Sequence, residues 1–418
     1  MSGLPRSIFA ALPGLLAEEG LAALLVVARS ARDVDLAPFV GGAHLGESLL
    51  LVGADGMARL AAFSPMEREE AASTGLALVT PEDLDLPRLA REAPLPADFL
   101  AGAMAALLSQ SGIGPSPERP RVALAGHAAS GTVHAACSRL AGEGWDFRDG
   151  AELLRAARRM KGDAELALIW AAADGTAAAF RAVARLLAGA RLDGAGHAWL
   201  EGERLRVGRL RSEIRRVLAD HGLEQPEGNL VAIGGDAGVP HSQGADERAV
   251  RAGEPLLVDL FPHGAMFADC TRVFCLGEPD PAVRHAHATV LAALEWATHN
   301  AVAGARGWSL QEGVCGLFKA AGYATPLTDP GTTQGYVHGL GHGVGYELHE
   351  QPSFRKETGR DGLLSVSDVF TLEPGLYDPS PEGGYGIRLE DLFWLGPDGL
   401  VNLTPLPHSL DPREFVNE

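Results

Sequence analysis

The chain has 418 residues, 46% hydrophobic and 21% charged, which are ordinary globular proportions with apolar side chains enough for a sizeable core. Its length suggests two domains. Fifty-four Asp and Glu against 35 Lys and Arg leave a formal charge of −19, which repels phosphate backbones and anionic lipid and argues against nucleic acid and membrane surfaces as partners.

From the N-terminus, Glu18 and Glu19 interrupt an apolar opening that lacks a basic leader with a cleavage motif. No stretch reaches the roughly 18 continuous apolar residues of a membrane span. Cys137, Cys270, Cys275 and Cys315 have neither paired zinc-site spacing nor the density of a disulfide scaffold. A cytoplasmic location is the expectation.

Up to about residue 150, short apolar runs such as LAALLVVA and SLLLVGADG alternate with helical stretches such as ADFLAGAMAALLSQ, a mixed α/β pattern. A basic segment, GAELLRAARRMKGD, then ends where Asp163 can cap a following helix. This predicts an N-terminal domain over 1–155 and a second over 156–418. AELALIWAAADGTAAAFRAVARLLAGA carries apolar residues at helical spacing despite Gly175, and LRVGRLRSEIRRVLADHG predicts a helix that stops at Gly222. From about 228 onward β-type runs dominate: NLVAIGG, EPLLVDLF, MFADCTRVFCLG, DVFTLEPGLY and YGIRLEDLFWL. Their punctuation by Gly, Pro and Asp predicts a largely antiparallel sheet with helices packed against it, an α+β domain.

Charges recur inside these runs. Two β runs flank Pro262, His263 and Gly264, so a hairpin is predicted, with Leu257, Asp259 and Phe261 on one face and Phe267, Asp269 and Thr271 on one face of the partner. A carboxylate buried there needs a cationic partner; alternatively, both aspartates sit at an edge or turn facing water. VHGLGHGVGYELHEQPSF sets His338, His342 and His349 among Gly339, Gly341, Gly343 and Gly345. Imidazole is the commonest protein metal ligand, and glycine lets backbone approach closely; a surface loop is the alternative. Glu373 and Glu390 are acids in core-like runs, and Arg388 could pair with Glu390 across two strand positions as a buried ion pair. Together the segments supply four carboxylates and at least one imidazole, a set suited to a pair of Mn²⁺, Co²⁺ or Zn²⁺ ions and to hydrolysis.

VDLFPHGAMFADCTRVF, HGLGHGVGYELHE, TLEPGLY and GIRLED, in that order and with His241 upstream in GVPHSQ, resemble the pita-bread metallopeptidases: methionine aminopeptidase, prolidase and aminopeptidase P. The resemblance is strong over about 228 to 395 and looser elsewhere. It implies a pita-bread catalytic domain whose antiparallel sheet is covered by helices, preceded by a smaller α/β domain of the creatinase and prolidase type. It also implies two divalent metal ions, Mn²⁺ first among them with Co²⁺ or Zn²⁺ as substitutes. Asp259 would bind one, Asp269 and Glu390 would bridge both, and His342 with Glu373 would hold the second. Glu373 would shuttle a proton, His349 would stabilise the tetrahedral oxyanion, and His241 would contact the scissile amide or the leaving side. His338 would shape a proline-side pocket, and Arg388 would orient ligands without touching metal.

Nine residues separate Asp259 from Asp269, one fewer than in most relatives, so a shortened hairpin tip is expected. Cys270 should face the core. The N-terminal domain is similar to that of prolidase and aminopeptidase P, and this resemblance implies hydrolysis of Xaa-Pro bonds in dipeptides or short proline-containing peptides, with Arg355 or Arg360 as a candidate cap for a free substrate carboxylate. A homodimer is implied by the same resemblance. Two competing readings keep the fold: a metal-independent creatinase-like C–N hydrolase, and an inactive peptide-binding module.

Overall fold

The computed structural model describes residues 7–356 and 362–416. The chain divides into two compact units, Met1–Ala164 and Glu165–Glu418.

The first unit is built on six strands: β1 (Ala23–Ala28), β2 (Ser48–Gly53), β3 (Ala58–Ala62), β4 (Ala77–Val79), β5 (Arg121–Ala125) and β6 (Asp146–Asp149). Their order is β4-β3-β2-β1-β5-β6, with β1 antiparallel to β2 and parallel to β5. Leu24 and Val26 pack with Ile8, Leu12 and Leu154 from the helices Ser7–Glu18 and Ala151–Arg159. Leu25 and Val27 point the other way, onto Leu107 and Leu140 of the helices Pro96–Gln110 and Ser130–Glu143. With helices on both faces, every position of β1 is buried, which is why its sequence is continuously apolar rather than alternating.

The helix Asp163–Gly189, from Glu165 onward part of the second unit, has Asp163 in its first turn itself. By length and hydropathy this helix could cross a membrane, but 56% of its most apolar window is buried within the protein. Asp174 and Arg181 break the run, and Ile169, Phe180, Val183 and Leu187 belong to the core. A small sheet of β7 (Arg191–Leu192), β8 (Ala198–Leu200) and β9 (Glu203–Arg204) follows, then the helix Val207–Asp220. That helix is closed by Gly222 at φ 70°, a left-handed turn that suits glycine.

The remaining strands are β10 (Leu230–Ile233), β11 (Pro255–Leu260), β12 (Cys270–Cys275), β13 (His342–Gly343), β14 (Glu350–Ser353), β15 (Val369–Leu372), β16 (Gly375–Asp378), β17 (Tyr385–Arg388), β18 (Asp391–Gly396) and β19 (Gly399–Asn402). They form antiparallel sheets in the orders β10-β11-β12, β14-β13-β15-β18-β19 and β16-β17. A bridge between Thr271 and Glu390 joins the first two. The predicted antiparallel sheet with helices against it is what forms. Leu256, Val258 and Leu260 of β11 pack with the helices Asp163–Gly189 and Val207–Asp220. Leu257, between them, packs on the other side with the helices Pro281–Asn300 and Gly307–Ala320. The alternation of β11 places Asp259 on the face of Leu257. These last two helices are not singled out in the sequence, because their apolar positions are interspersed with His, Ala and Gly.

The expected hairpin is corrected in detail. The ladder ends at the pair Leu260 and Cys270, so Phe261 to Asp269 form the connection and Asp269 lies just outside β12. Phe267 is not on the strand: its amide donates to the Gly345 carbonyl and its ring lies 4.4 Å from that of His263.

Candidate metal centre

Asp259, Asp269 and Glu390 are between 2% and 6% exposed. Asp269, His342 and Glu390 each offer a ligand atom, and these atoms lie within 4.8 Å of one another. His342 Nε2 is 3.5 Å from Asp269 Oδ2 and 3.6 Å from Glu373 Oε1. Its Nδ1 lies 3.1 Å from the Gly343 carbonyl, an acceptor, so Nδ1 carries the hydrogen and Nε2 turns its lone pair toward the carboxylates. Burial lowers the His342 pKa to about 3, so the ring does not bring the missing positive charge by protonation.

The acids show the same tension. Burial, with the charge of Glu390, Asp259 and Glu373, pushes Asp269 well above the usual carboxylate range. Burial and Glu373 do the same to Glu390, and burial raises Glu373 to about 7. Asp259 is raised by burial, opposed by Arg388, and its Oδ1 is buried with no hydrogen-bond partner among the described residues. Several anionic oxygens and one imidazole lone pair facing a common point, one of the oxygens orphaned, fit divalent cations.

Each group is delivered by a different element. Asp259 is the penultimate residue of β11, Glu373 follows β15 with its amide donating to the Leu340 carbonyl, and Glu390 precedes β18. Glu390 Oε2 accepts from Thr271 Oγ1 at 2.6 Å. The glycines around His342 divide into two kinds. A Cβ on Gly341 would sit 2.0 Å from the Thr371 carbonyl and one on Gly343 2.1 Å from that of Gln351, so both are demanded by strands closing on His342, whereas Gly339 has nothing within 4 Å.

Arg388 does not pair with Glu390. Its guanidinium forms a buried ion pair with Asp259, donates from Nε to Thr271 Oγ1 at 3.0 Å and from Nη1 to the Tyr377 hydroxyl at 3.0 Å. That hydroxyl lies 2.8 Å from His338 Nε2, whose Nδ1 is 2.7 Å from the Gly339 carbonyl. Since the carbonyl can only accept, His338 Nδ1 donates, its Nε2 accepts from Tyr377, and Tyr377 accepts from Arg388. His338 is thereby held as a neutral ring; burial lowers its pKa to about 3. Thr271 and Tyr377 are the residues the sequence analysis does not assign. Thr271 had a signal, sharing a strand face with the aspartate region, while Tyr377 had none beyond closing FTLEPGLY.

His349 is exposed and its ring lies 4.3 Å from that of His342. His241 is exposed and its ring makes no hydrogen bond among the described residues, yet it interacts electrostatically with Asp259, His338 and His349. Arg355 is exposed and acts electrostatically on His349; Arg360 lies outside the described residues. Cys270 is buried, as expected. In the first unit Asp33, Asp35 and His127 also cluster, but each carboxylate oxygen there already accepts a hydrogen bond, from His127, Asp35, Gly126 or Arg158, so the group braces a loop.

Residues 167–397 match metallopeptidase family M24. The chain belongs to that family. Membership in this metallopeptidase family implies divalent metal ions, in keeping with the ligand set. The probable dipeptidase PepE of Mycobacterium tuberculosis is 29% identical over 201 residues, 48% of this chain and 50% of that protein, so the chain spans about half the length of this curated relative. Among solved structures, the prolidase from Pyrococcus horikoshii OT3 superposes with a TM-score of 0.72 at 18% identity, covering 96% of this chain and 99% of that one. The X-Pro aminopeptidase from Thermotoga maritima MSB8 gives 0.68 at 23% identity, covering 96% and 98%. These likenesses show the fold: a prolidase-like α+β pair of domains, the second of the pita-bread type.

Proposed function

We propose that this M24 family member is a dinuclear-metal peptidase that removes the N-terminal residue of Xaa-Pro dipeptides or short peptides. The carrying observation is the convergence of His342 Nε2 with the Asp269 and Glu373 carboxylates at 3.5 and 3.6 Å, beside Glu390 and the orphaned Asp259 oxygen. Asp259, Asp269, His342, Glu373 and Glu390 would hold two divalent ions, with Mn²⁺ as first choice and Co²⁺ or Zn²⁺ as substitutes. Such ions polarise a carbonyl and make water nucleophilic at neutral pH.

The protein's own groups supply the rest. Glu373, with Oε2 at 3.8 Å from His338 Nδ1, would take a proton from the attacking water and pass it to the departing amide nitrogen. His349 and His241, both exposed, would meet the oxyanion and the scissile amide. His338, half-buried, and the buried Tyr377 would form a polar wall for the proline ring, and Arg355 is the candidate partner for a dipeptide's free carboxylate. Support for the bond cleaved comes from the relatives, one named a dipeptidase and two named for Xaa-Pro substrates. A homodimer in the cytoplasm belongs to the same proposal.

The test is release of alanine from Ala-Pro, Ala-Pro-Ala and Ala-Ala by metal-stripped protein with and without Mn²⁺. Metal-dependent cleavage of both prolyl substrates supports an aminopeptidase P type, of Ala-Pro alone a prolidase, and of Ala-Ala with equal efficiency a general dipeptidase. No cleavage with any of Mn²⁺, Co²⁺ or Zn²⁺ rejects the proposal in favour of a creatinase-like hydrolase or a binding module.

A further inference from the structure

Glu390 and Thr271 meet at the candidate metal centre, where the Glu390 amide donates to the Thr271 carbonyl at 3.2 Å, and a second tie between their backbones lies behind it. Successive side chains of β12 point to opposite faces, so Arg272 turns away from the site that Thr271 faces. It is fully buried. Its Nη1 donates to the Glu390 carbonyl at 2.6 Å and to the Thr271 carbonyl at 3.0 Å. Its Nη2 pairs with the Asp391 carboxylate and donates to the Leu406 carbonyl at 3.0 Å, and Nε donates to the Pro407 carbonyl at 2.9 Å. Asp391, 1% exposed, also accepts from Asn402 Nδ2 at 2.9 Å and from His408 Nε2 at 2.8 Å.

We propose that Arg272 is a positioning residue that, braced by Asp391, sets the place of Glu390 in the metal centre. A buried ion pair is weak evidence for stability, since apolar side chains of similar volume often replace one at no loss. A guanidinium, however, presents five donors in one rigid plane, and here that plane ties the main chain of Glu390 to that of Thr271. Sliding β18 along β12 would break these bonds and the 2.6 Å contact from Thr271 Oγ1 to Glu390 Oε2 together. Lysine keeps the charge but cannot make the fork.

This inference rests on the reading of Glu390 as a metal ligand, and the experiment separates the two. Metal-stripped wild type, Arg272→Lys and Glu390→Gln are titrated with Mn²⁺ by calorimetry at 25 °C, with circular dichroism as the check on folding. Arg272→Lys is expected to keep the wild-type spectrum and lose about 10–100-fold in Mn²⁺ affinity, as changes to groups that orient ligands do. A merely structural arginine would lower the melting temperature and leave the affinity of the folded protein unchanged. Loss of affinity in Glu390→Gln with wild-type affinity in Arg272→Lys overturns the role of Arg272. Wild-type affinity in Glu390→Gln overturns the ligand reading itself. Should Arg272→Lys not fold, Asn402→Ala, which removes one donor from Asp391, decides the matter: weakened Mn²⁺ binding supports the brace and wild-type binding refutes it.

Discussion

Removing the metals should make the protein's stability fall as pH rises above neutrality, against the usual behaviour of buried acids paired with cations. Glu373 has its pKa raised from 4.5 to about 7, and burial among like charges also raises Asp269 and Glu390 well above the ordinary carboxylate range, so the folded metal-free protein holds protons that the unfolded chain has released. A raised carboxylate contributes stability that is complete below its unfolded pKa and is lost as pH climbs through its folded one. His342 and His338 act oppositely: lowered from 6.5 to about 3, they cost stability only as pH falls below 6.5. Between about 4.5 and 6.5 the two effects compete, and above 6.5 only the carboxylates remain. Each carboxylate still protonated then removes about 1.4 kcal/mol per pH unit, or roughly 3–5 °C of melting temperature for a domain of this size. The assay is thermal melting of metal-stripped protein from pH 6.5 to 8.5, beside the same series with saturating Mn²⁺. The stripped series should fall by several degrees per unit and the loaded series should be flatter, because metal competes with protons. A flat or rising stripped series would refute the electrostatic account of the site.

His342→Ala and Glu373→Ala should each abolish turnover and weaken metal binding with the fold retained; wild-type rates in either would sink the ligand assignment. Tyr377→Phe leaves Arg388 Nη1 without its acceptor and His338 Nε2 without its donor, so it should cost about 1–3 kcal/mol in chemical denaturation. It should also lower kcat more than it alters KM or metal content. Gly343→Ala would put a methyl 2.1 Å from the Gln351 carbonyl and should destabilise by about 1–3 kcal/mol in urea, with weakened metal binding, whereas Gly339→Ala should do neither. Arg355→Ala should raise KM for Ala-Pro more than for Ala-Pro-Ala, and equal effects would remove Arg355 as the carboxylate partner.

Much of the site was legible because a charge in an apolar strand is conspicuous. Asp259, Glu373 and Glu390 stand out in their runs for that reason, and the alternation of β11 put Asp259 on its observed face. The three histidines of the glycine-rich segment could not be told apart by composition. Only the fold turns His342 Nε2 toward the acids, ties His338 Nε2 to the Tyr377 hydroxyl and leaves His349 exposed. The end of the hairpin ladder was hidden as well, since Phe267, Ala268 and Asp269 continue the apolar pattern of β12 without pairing in it.

By itself the sequence determined which elements carry acids and imidazoles, the alternation that aims Asp259, and the run of β1 that must be covered on both sides. These are local properties, set by period and by the cost of leaving a charge among apolar neighbours. Tertiary structure alone decided the partners: Arg388 chose Asp259, 129 residues away, over Glu390, two residues away. Arg272 likewise reached across 118 residues to the Glu390 carbonyl. A buried cation takes whichever acceptors packing brings within hydrogen-bond reach, and chain separation says nothing about which those are.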